Sequence, residues 1–484
     1  MARSTCLDPV SDDFIMHFTG SPHFSKDRKE LSMARHTSSR RQFLKGAAGV
    51  AAGLAAAGSP ARVRAQGPSA NEKFVVGLMG TGGRGLWFLR NEFARRPNLE
   101  VAYVCDVDDE RLGRAVKLVE DATGRKPKAV TDFRRILDDG DVDLFFNATP
   151  DHWHALPTIM ACQAGKDVFL EKPVSHNVWE GRKTVEAARK YDRIVQVGTQ
   201  TRSGPYTQKA VEFLREGRLG KVHFVRVLNM KYRNPVPARP DEPVPEGVDY
   251  DMWLGPAPDR PYNRNHFHYN WHWFWAYSGG DIINDGVHQI DAARLLIGKD
   301  WPRSVISTGG KLAFDDAQET PDTQVALWEF DDVLMQFDLT LWTPHMVKTP
   351  WDLRDTDEFP EWPTNATQIE VHGTGGLMKF SRQGGGWQAW DKDGKLIDQG
   401  PGRHPHGPHI DNFLECVVSR ELPTADIEEG HRSTVLCEIA NISYRLGGRK
   451  LTFDSATESF VGDDEANAFL KREYRSKWAV PETV

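Results

Sequence analysis

Three glycines set the chemistry this chain can carry. The apolar run Phe74–Met79 stops at Gly80-x-Gly82-x-x-Gly85, and an amphipathic segment over 86–93 starts at once. Gly80 suits a tight turn, and Gly82 lets the backbone approach a pyrophosphate. Gly85 lets the next helix pack close to the strand, with the helix N-terminus facing the phosphates. The next apolar run, Leu99–Cys105, ends at Asp106, where a carboxylate can accept from the adenosine ribose hydroxyls. Asp108, Asp109 and Glu110 crowd the same turn and would repel a 2′-phosphate, so the pattern reads as an NAD site, with NADP second. Ala148, Thr149 and Pro150, followed by His154, close a third apolar run at its carboxyl end, where ligands bind in parallel sheets. The most aromatic stretch, 266–275, includes His272 and Trp273; rings with polar tips suit a sugar, and equally suit a core or a subunit contact.

Strand-like runs at 74–79, 99–105, 128–130, 143–148, 167–170 and 193–197 alternate with helical periods at 110–122, 153–164 and 178–190. Such alternation predicts a parallel sheet with helices on both faces. After Gly198 the texture changes to a helix at 205–216 and a long alternating strand at 221–231. Eight prolines between 235 and 261 predict irregular chain, either a rigid surface arm or a loop over the active site. Strands are expected at 304–308, 324–330, 333–341, 368–372 and 377–380, and helices at 286–296, 409–419 and 430–446. The fold class is therefore α/β. A Rossmann dinucleotide-binding domain (73–198) precedes an α+β domain (199–455) with a large, mostly antiparallel open sheet, and a C-terminal tail (456–484) follows.

The formal charge is −7 over 484 residues, and the first 65 are net basic, so the body is more acidic still. An acidic body without a basic block argues against nucleic acid or an anionic membrane as partner. The five cysteines have no paired spacing, and neither a disulfide framework nor a metal site is expected. Residues 1–65 read as a leader. Ser39-Arg-Arg-Gln-Phe-Leu-Lys45 resembles the twin-arginine export signal, and the Ala/Gly-rich run behind it is too short and weakly apolar for a stable membrane span. Residues 1–32 lack signal character, so Met33 is the expected start. The twin-arginine translocase is then a partner, and the expected location is periplasmic or extracytoplasmic.

Asp167-Val-Phe-Leu-Glu-Lys-Pro173, taken with the glycine loop, the Ala148–His154 turn and Gly279-Gly-Asp-Ile-Ile-Asn-Asp-Gly-Val-His-Gln-Ile-Asp291, resembles the glucose–fructose oxidoreductase/inositol dehydrogenase (Gfo/Idh/MocA) family. The resemblance runs from about Phe74 to about Phe453 and looks closest to the exported members. It implies NAD(P)-dependent chemistry on sugars, polyols and their derivatives, with the open sheet supporting a homodimer or homotetramer. It also implies that Glu171 helps place the nicotinamide ribose, that the Lys172–Pro173 bond is cis, and that His288 is the catalytic histidine.

The residues fit that chemistry independently. Hydride transfer from a carbinol needs a base for the hydroxyl proton and donors for the oxygen. Lys172 ends a buried strand beside the expected nicotinamide and is a catalytic candidate with His288. Asn284, His288 and Asp291 are spaced to share a helix face. Where family members commonly carry Asp four residues before the histidine, this chain has Asn284 with Asp285 beside it, and an amide cannot act as a base. Asn284, Asp285, Arg202, His272 and Trp273 are candidate substrate contacts, and Gln200 a candidate nicotinamide contact. The reading is an NAD(P)-dependent oxidoreductase acting on a sugar, polyol or glycoside, its cofactor tightly bound. The alternatives are a redox-neutral, NAD-dependent glycoside-cleaving enzyme and a non-catalytic nucleotide sensor.

Overall fold

The computed structural model describes residues 73–484. The export signal expected around Arg40 and Arg41 lies outside them. The first sheet comprises β1 (Phe74–Met79), β2 (Leu99–Cys105), β3 (Lys128–Val130), β4 (Leu144–Asn147), β5 (Asp167–Leu170) and β6 (Val195–Val197). Its order is β3-β2-β1-β4-β5-β6, parallel throughout. The chain direction across the sheet reverses between β1 and β4, so the loops leaving them diverge and open a crevice at their carboxyl ends. Met79 pairs with Asn147 there, which sets the glycine loop against the Ala148 turn. Gly80 sits at φ +88°, and a Cβ on it would lie 2.6 Å from the Ala148 carbonyl oxygen, so both conformation and space demand glycine. The helix Gly83–Asn91 presses Gly85, Phe88 and Leu89 inward.

The second sheet contains β7 (Val222–Met230), β8 (Ser304–Gly310), β9 (Thr323–Glu329), β10 (Leu334–Thr340), β11 (Gln368–Gly373), β12 (Gly376–Ser381), β13 (Trp387–Asp391), β14 (Leu396–Gly400), β15 (Leu451–Asp454) and β16 (Ser459–Phe460). Its order is β14-β13-β12-β11-β7-β10-β9-β8-β15-β16, and β7 with β10 is a parallel pair in an otherwise antiparallel ladder. Helices Val287–Ile297 and Ile427–Arg445 pack on it and on each other. Strand β14 escapes the sequence pattern because it lies at an edge: Leu396 and Ile397 stay exposed, so little alternation marks it.

Two features depart from the sequence expectations. The proline-rich arm contains a short helix, Tyr250–Leu254, in its proline-free window, capped where the Asp249 side chain accepts from the Met252 amide at 2.9 Å. The chain after 400 also returns to the first sheet. From the helix His406–Ser419, Ile410 and Phe413 complete the core that holds Phe88, Phe146 and Phe169. Ile427 and the tail residues Trp478, Val480 and Val484 pack with the sheet's other face. The core of the first domain is thus finished by residues two hundred or more positions away. Among the described residues no helix is long and apolar enough to cross a membrane.

Candidate active site

The crevice at the β1/β4 reversal widens into a cavity of about 600 Å³, walled on its far side by the second domain. Gly80, Gly82 and Gly83 line one end. Gly82 is the N-cap of the helix Gly83–Asn91 and no side chain caps it, so its first amides are left for a ligand. Asp106 lines the same end. Its carboxylate accepts from the Thr81 amide (2.7 Å), the Thr81 hydroxyl (2.9 Å) and the Asp108 amide (3.2 Å). Burial pushes this carboxyl up, and the Thr81 bonds oppose it. A bare helix N-terminus, glycines where a Cβ would intrude and an acid at the next strand end fit a dinucleotide.

The acidic cluster expected to repel a 2′-phosphate is not assembled as such. Asp108 caps the helix Asp109–Thr123 and pairs with His268 (2.8 Å), while Glu110 is exposed. Asp106 lines the cavity and these two do not, whereas Arg111 does line it beside Gly82. The proline-rich arm crosses this end of the crevice. The Asp249 amide donates to the Val107 carbonyl and the Asp109 amide to the Gly247 carbonyl, both at 2.9 Å. The Trp153 indole donates to the carbonyls of Met252 and Trp253 at 3.0 and 2.9 Å. A Cβ on Gly255 would strike the Trp153 ring at 2.1 Å, so the glycine lets the arm lie flat.

Lys172 stands at the carboxyl end of β5, and its bond to Pro173 is cis. Its ammonium donates to the Asn284 carbonyl at 2.5 Å, with the Asn284 side-chain oxygen 3.4 Å away. Asn284 belongs to a π-helical turn, Ile282–Gly286, that leads into the helix Val287–Ile297. Such a widened turn is a frequent functional feature, and here it brings both Asn284 and His288 to the cavity. Burial holds the His288 imidazole well below its usual range, aided by Arg382 and Lys172. A neutral imidazole is a competent proton acceptor. Burial takes His272 down to about 3 in the same direction, with Lys172 adding to it.

Asp285 cannot serve as a base. It accepts from Lys231, Lys348, Arg233 and Arg382 together. Burial alone would raise its carboxyl, but Lys231, Lys348, Arg382 and Arg233 outweigh that and hold it well below the carboxylate range. Asn284 donates its amide to Asp281 (3.2 Å), which is itself paired with Lys231 (2.7 Å). The carboxylate expected from the family pattern is therefore present three residues earlier, behind Asn284, and committed to a lysine.

Ala148, Thr149, Pro150, Glu171, Gln200 and His272 also line the cavity. Glu171 accepts from Arg84 at 2.6 Å. Four candidates do not line it. Arg202 is buried against Asp291 (2.8 Å) and Glu429 (3.2 Å), so it is an interior ion-pair residue and not a substrate contact. Asp291 correspondingly turns away from the face that Asn284 and His288 share. Trp273 is buried with the Arg233 guanidinium 5.5 Å from its ring centroid. Both misses have one cause: each residue sits in a 3₁₀ turn whose side chains point apart, so Gln200 and Thr201, and Trp271 and His272, face the cavity while Arg202 and Trp273 turn away from it. His154 does not line the cavity. Its ring bridges the carbonyls of Pro173 (2.5 Å) and Thr149 (2.9 Å) and so ties the two cofactor loops together. Gly85 acts through packing, since a Cβ there would lie 2.0 Å from the Gly80 carbonyl oxygen.

Sequence reasoning missed a whole wall: Lys348, Trp351, Arg354, Arg382, Gln383, His404 and His406 also line the cavity. It also missed Asp151, buried beside Lys172, whose carboxylate accepts from the Ser278 hydroxyl at 2.5 Å. No spacing unites 348–354, 382–383 and 404–406. The one local signal was a cluster of polar and charged residues where neither period 2 nor period 3.6 explains them.

Asp106→Ala is expected to raise the NAD dissociation constant by about tenfold to a hundredfold, the size of a charge-assisted contact. The NADP constant should move far less, narrowing the ratio. Fluorescence titration of both nucleotides measures it, and equal loss for the two would mean that Asp106 serves only to hold Thr81.

Residues 74–199 match the oxidoreductase family's NAD-binding Rossmann fold, and 232–329 with 395–480 match that family's C-terminal alpha/beta domain. An uncharacterized oxidoreductase of Bacillus subtilis, YrbE, is 24% identical over 53% of this chain and 63% of its own length. A glycosyl hydrolase family 109 protein of Saccharopolyspora erythraea is 32% identical over 38% of this chain and 44% of its own. The chain thus matches less than two thirds of either relative. The WlbA dehydrogenase of Bordetella pertussis, solved with NADH and UDP-GlcNAcA, superposes with a TM-score of 0.58 at 21% identity over 79% of this chain and 99% of that one. With both halves matched in order by the two domain models, and a glycine loop facing Lys172 and His288 across one cavity, the chain belongs to the Gfo/Idh/MocA oxidoreductase family.

Proposed function

We propose that this protein oxidises or reduces a hydroxyl or carbonyl of a sugar, polyol or glycoside, using an NAD that it retains through turnover. The observation that carries the reading is the facing pair Lys172 and His288 at one end of a cavity whose other end is an uncapped helix N-terminus. Gly80, Gly82 and Asp106 would hold the nucleotide, with Thr149, Glu171 and Gln200 toward its nicotinamide. When bound, the nicotinamide supplies the acceptor for a carbinol hydrogen. The Lys172 ammonium, positioned by the Asn284 carbonyl, donates to the reacting oxygen and stabilises its developing charge. Neutral His288 takes the hydroxyl proton. Exposed Trp351 and Tyr269 at the cavity wall offer apolar faces to a sugar ring.

Cofactor retention is supported by the arm pinned across the adenosine end, because affinity is tuned mainly through the off-rate and a clasp slows departure. It also suits the export signal at Arg40 and Arg41, since the twin-arginine route delivers folded, loaded protein to a compartment that does not replenish free NAD. The open face of the ten-stranded sheet, with Ile306, Val325 and Leu334 half exposed, is the surface we assign to a homodimer or homotetramer. Redox-neutral glycoside cleavage is the second reading, favoured by the family 109 relative.

Protein purified from the extracytoplasmic fraction without added nucleotide is expected to release about one NAD(H) per chain on denaturation, as slow dissociation requires. Changing Arg40 and Arg41 to Lys should leave loaded protein in the cytoplasm. Incubation with a sugar and glycoside panel, with products read by mass, separates net oxidation from cleavage. An empty protein that works only with millimolar NAD would sink the retained-cofactor reading.

A further inference from the structure

Most charged groups around the catalytic end of the cavity are matched. Lys231, Arg233, Lys348 and Arg382 share Asp281 and Asp285, and Arg84 has Glu171. Arg354 is different. It is only 5% exposed, lines the cavity, and among the described residues forms no ion pair. Its Nε donates to the Thr349 carbonyl at 2.7 Å, and its guanidinium stacks 3.9 Å over the Trp351 ring. That leaves the two terminal nitrogens with no protein acceptor. A buried guanidinium without a carboxylate is costly, and Arg382 beside it makes it costlier.

The neighbourhood shares the deficit. His404, whose backbone amide donates to the Arg354 carbonyl (2.7 Å), lines the cavity with its Nδ1 buried and unbonded. Lys348 spends its ammonium on an Asp285 already shared among three other cations. Burial lowers Arg354 to about 10, with Arg382 adding to it, and burial takes Lys348 to about 7. Both shifts are what a missing anion would reverse.

We propose that Arg354, with Lys348 and His404, binds an anionic group on the substrate, a carboxylate or phosphate carried by the sugar. The substrate class is then acidic sugars or glycosides, uronates first because a planar carboxylate matches a two-pronged guanidinium. The stacked Trp351 ring fixes the fork's plane and offers an apolar edge to the ring bearing the acid. This rests on the sugar-oxidoreductase reading above, but binding tests it apart from turnover.

The test titrates the NAD-loaded protein by calorimetry with matched pairs: methyl glucuronide against methyl glucoside, the galacto and manno equivalents, and glucose 6-phosphate against glucose. At least one acid should bind about tenfold or more tightly than its neutral partner, the scale of a charge-assisted fork. R354Q should bring that ratio close to one, and R354K should keep part of it, with thermal melting and NAD content unchanged in both. A better carboxylate ratio names a uronate, and a better phosphate ratio names a sugar phosphate. Neutral sugars binding as well as acids throughout, no acid binding at all, or a ratio that survives R354Q would overturn the proposal. So would loss of NAD from R354Q and R354K, which would assign Arg354 to the cofactor phosphates. Conversion of neutral sugars without acid preference would defeat this proposal and leave the oxidoreductase reading standing. Tight acid binding with no product from any sugar would do the reverse.

Discussion

Lys172→Ala is expected to lower kcat by about a hundredfold or more, the usual loss when a proton-relay donor is removed. Its ammonium is half-buried and bonded to the Asn284 carbonyl, so it is aimed before substrate arrives, and alanine loses both charge and aim. An interaction made chiefly in the transition state should depress kcat and kcat/KM together, leaving KM near its original value. Lys172→Arg keeps the charge but replaces a compact donor with a wide fork in a site lined by Asn284 and His288, so it should not restore turnover. NAD content and melting temperature should match the wild type, because the glycine loop and Asp106 are untouched. The measurement is initial rate on the true substrate alongside nucleotide released on denaturation. A variant turning over near the wild-type rate would take Lys172 out of the mechanism.

What the sequence disclosed was what it encodes locally. The glycine loop is a strand, a turn and a helix within a dozen residues, so the spacing alone carries the physical roles of Gly80, Gly82 and Gly85. Lys172 was readable because a four-residue buried strand precedes it and a proline follows. The directions of side chains in tight turns were not readable. Nothing in the composition of 200–203 or 270–273 says which residue of a 3₁₀ turn faces a cavity that distant segments create, and Arg202 and Trp273 fell on the wrong side. The meaning of Asn284 in place of an acid was also non-local. It depends on Asp281 standing behind it and on Lys231 arriving from the end of β7. The substrate wall is the extreme case: the helix Trp351–Arg354, the residues just past β12 and the stretch before the helix His406–Ser419 meet only through the register of the second sheet.

That same assembly makes Asp285 the residue whose loss should cost most stability. It is 7% exposed and serves four cations: Lys231, Lys348 at 2.5 Å, Arg382 at 3.1 Å and Arg233 at 3.3 Å. Removing one partner of a buried pair leaves an uncompensated charge and typically costs about 3–5 kcal/mol. Asp285→Ala leaves Asp281 as the acid shared by Lys231 and Arg233, with Lys348 and Arg382 stranded, so the upper end of that range is expected. Asp285→Asn keeps the shape but not the charge and should be nearly as harmful. Lys348→Met added to Asp285→Ala should recover part of the loss, because it removes a repelling charge and leaves an apolar chain. Because its folded carboxyl is held well below an ordinary aspartate, the Asp285 contribution is complete above about pH 4 and fades as the pH falls through that depressed value. The wild-type minus Asp285→Ala difference in denaturation free energy should therefore shrink as the pH falls below about 4. Added salt should not close the gap, since buried pairs are poorly screened. A variant that melts with the wild type, or a difference that salt abolishes, would show that the four cations find other partners and that Asp285 is not the anchor of the wall.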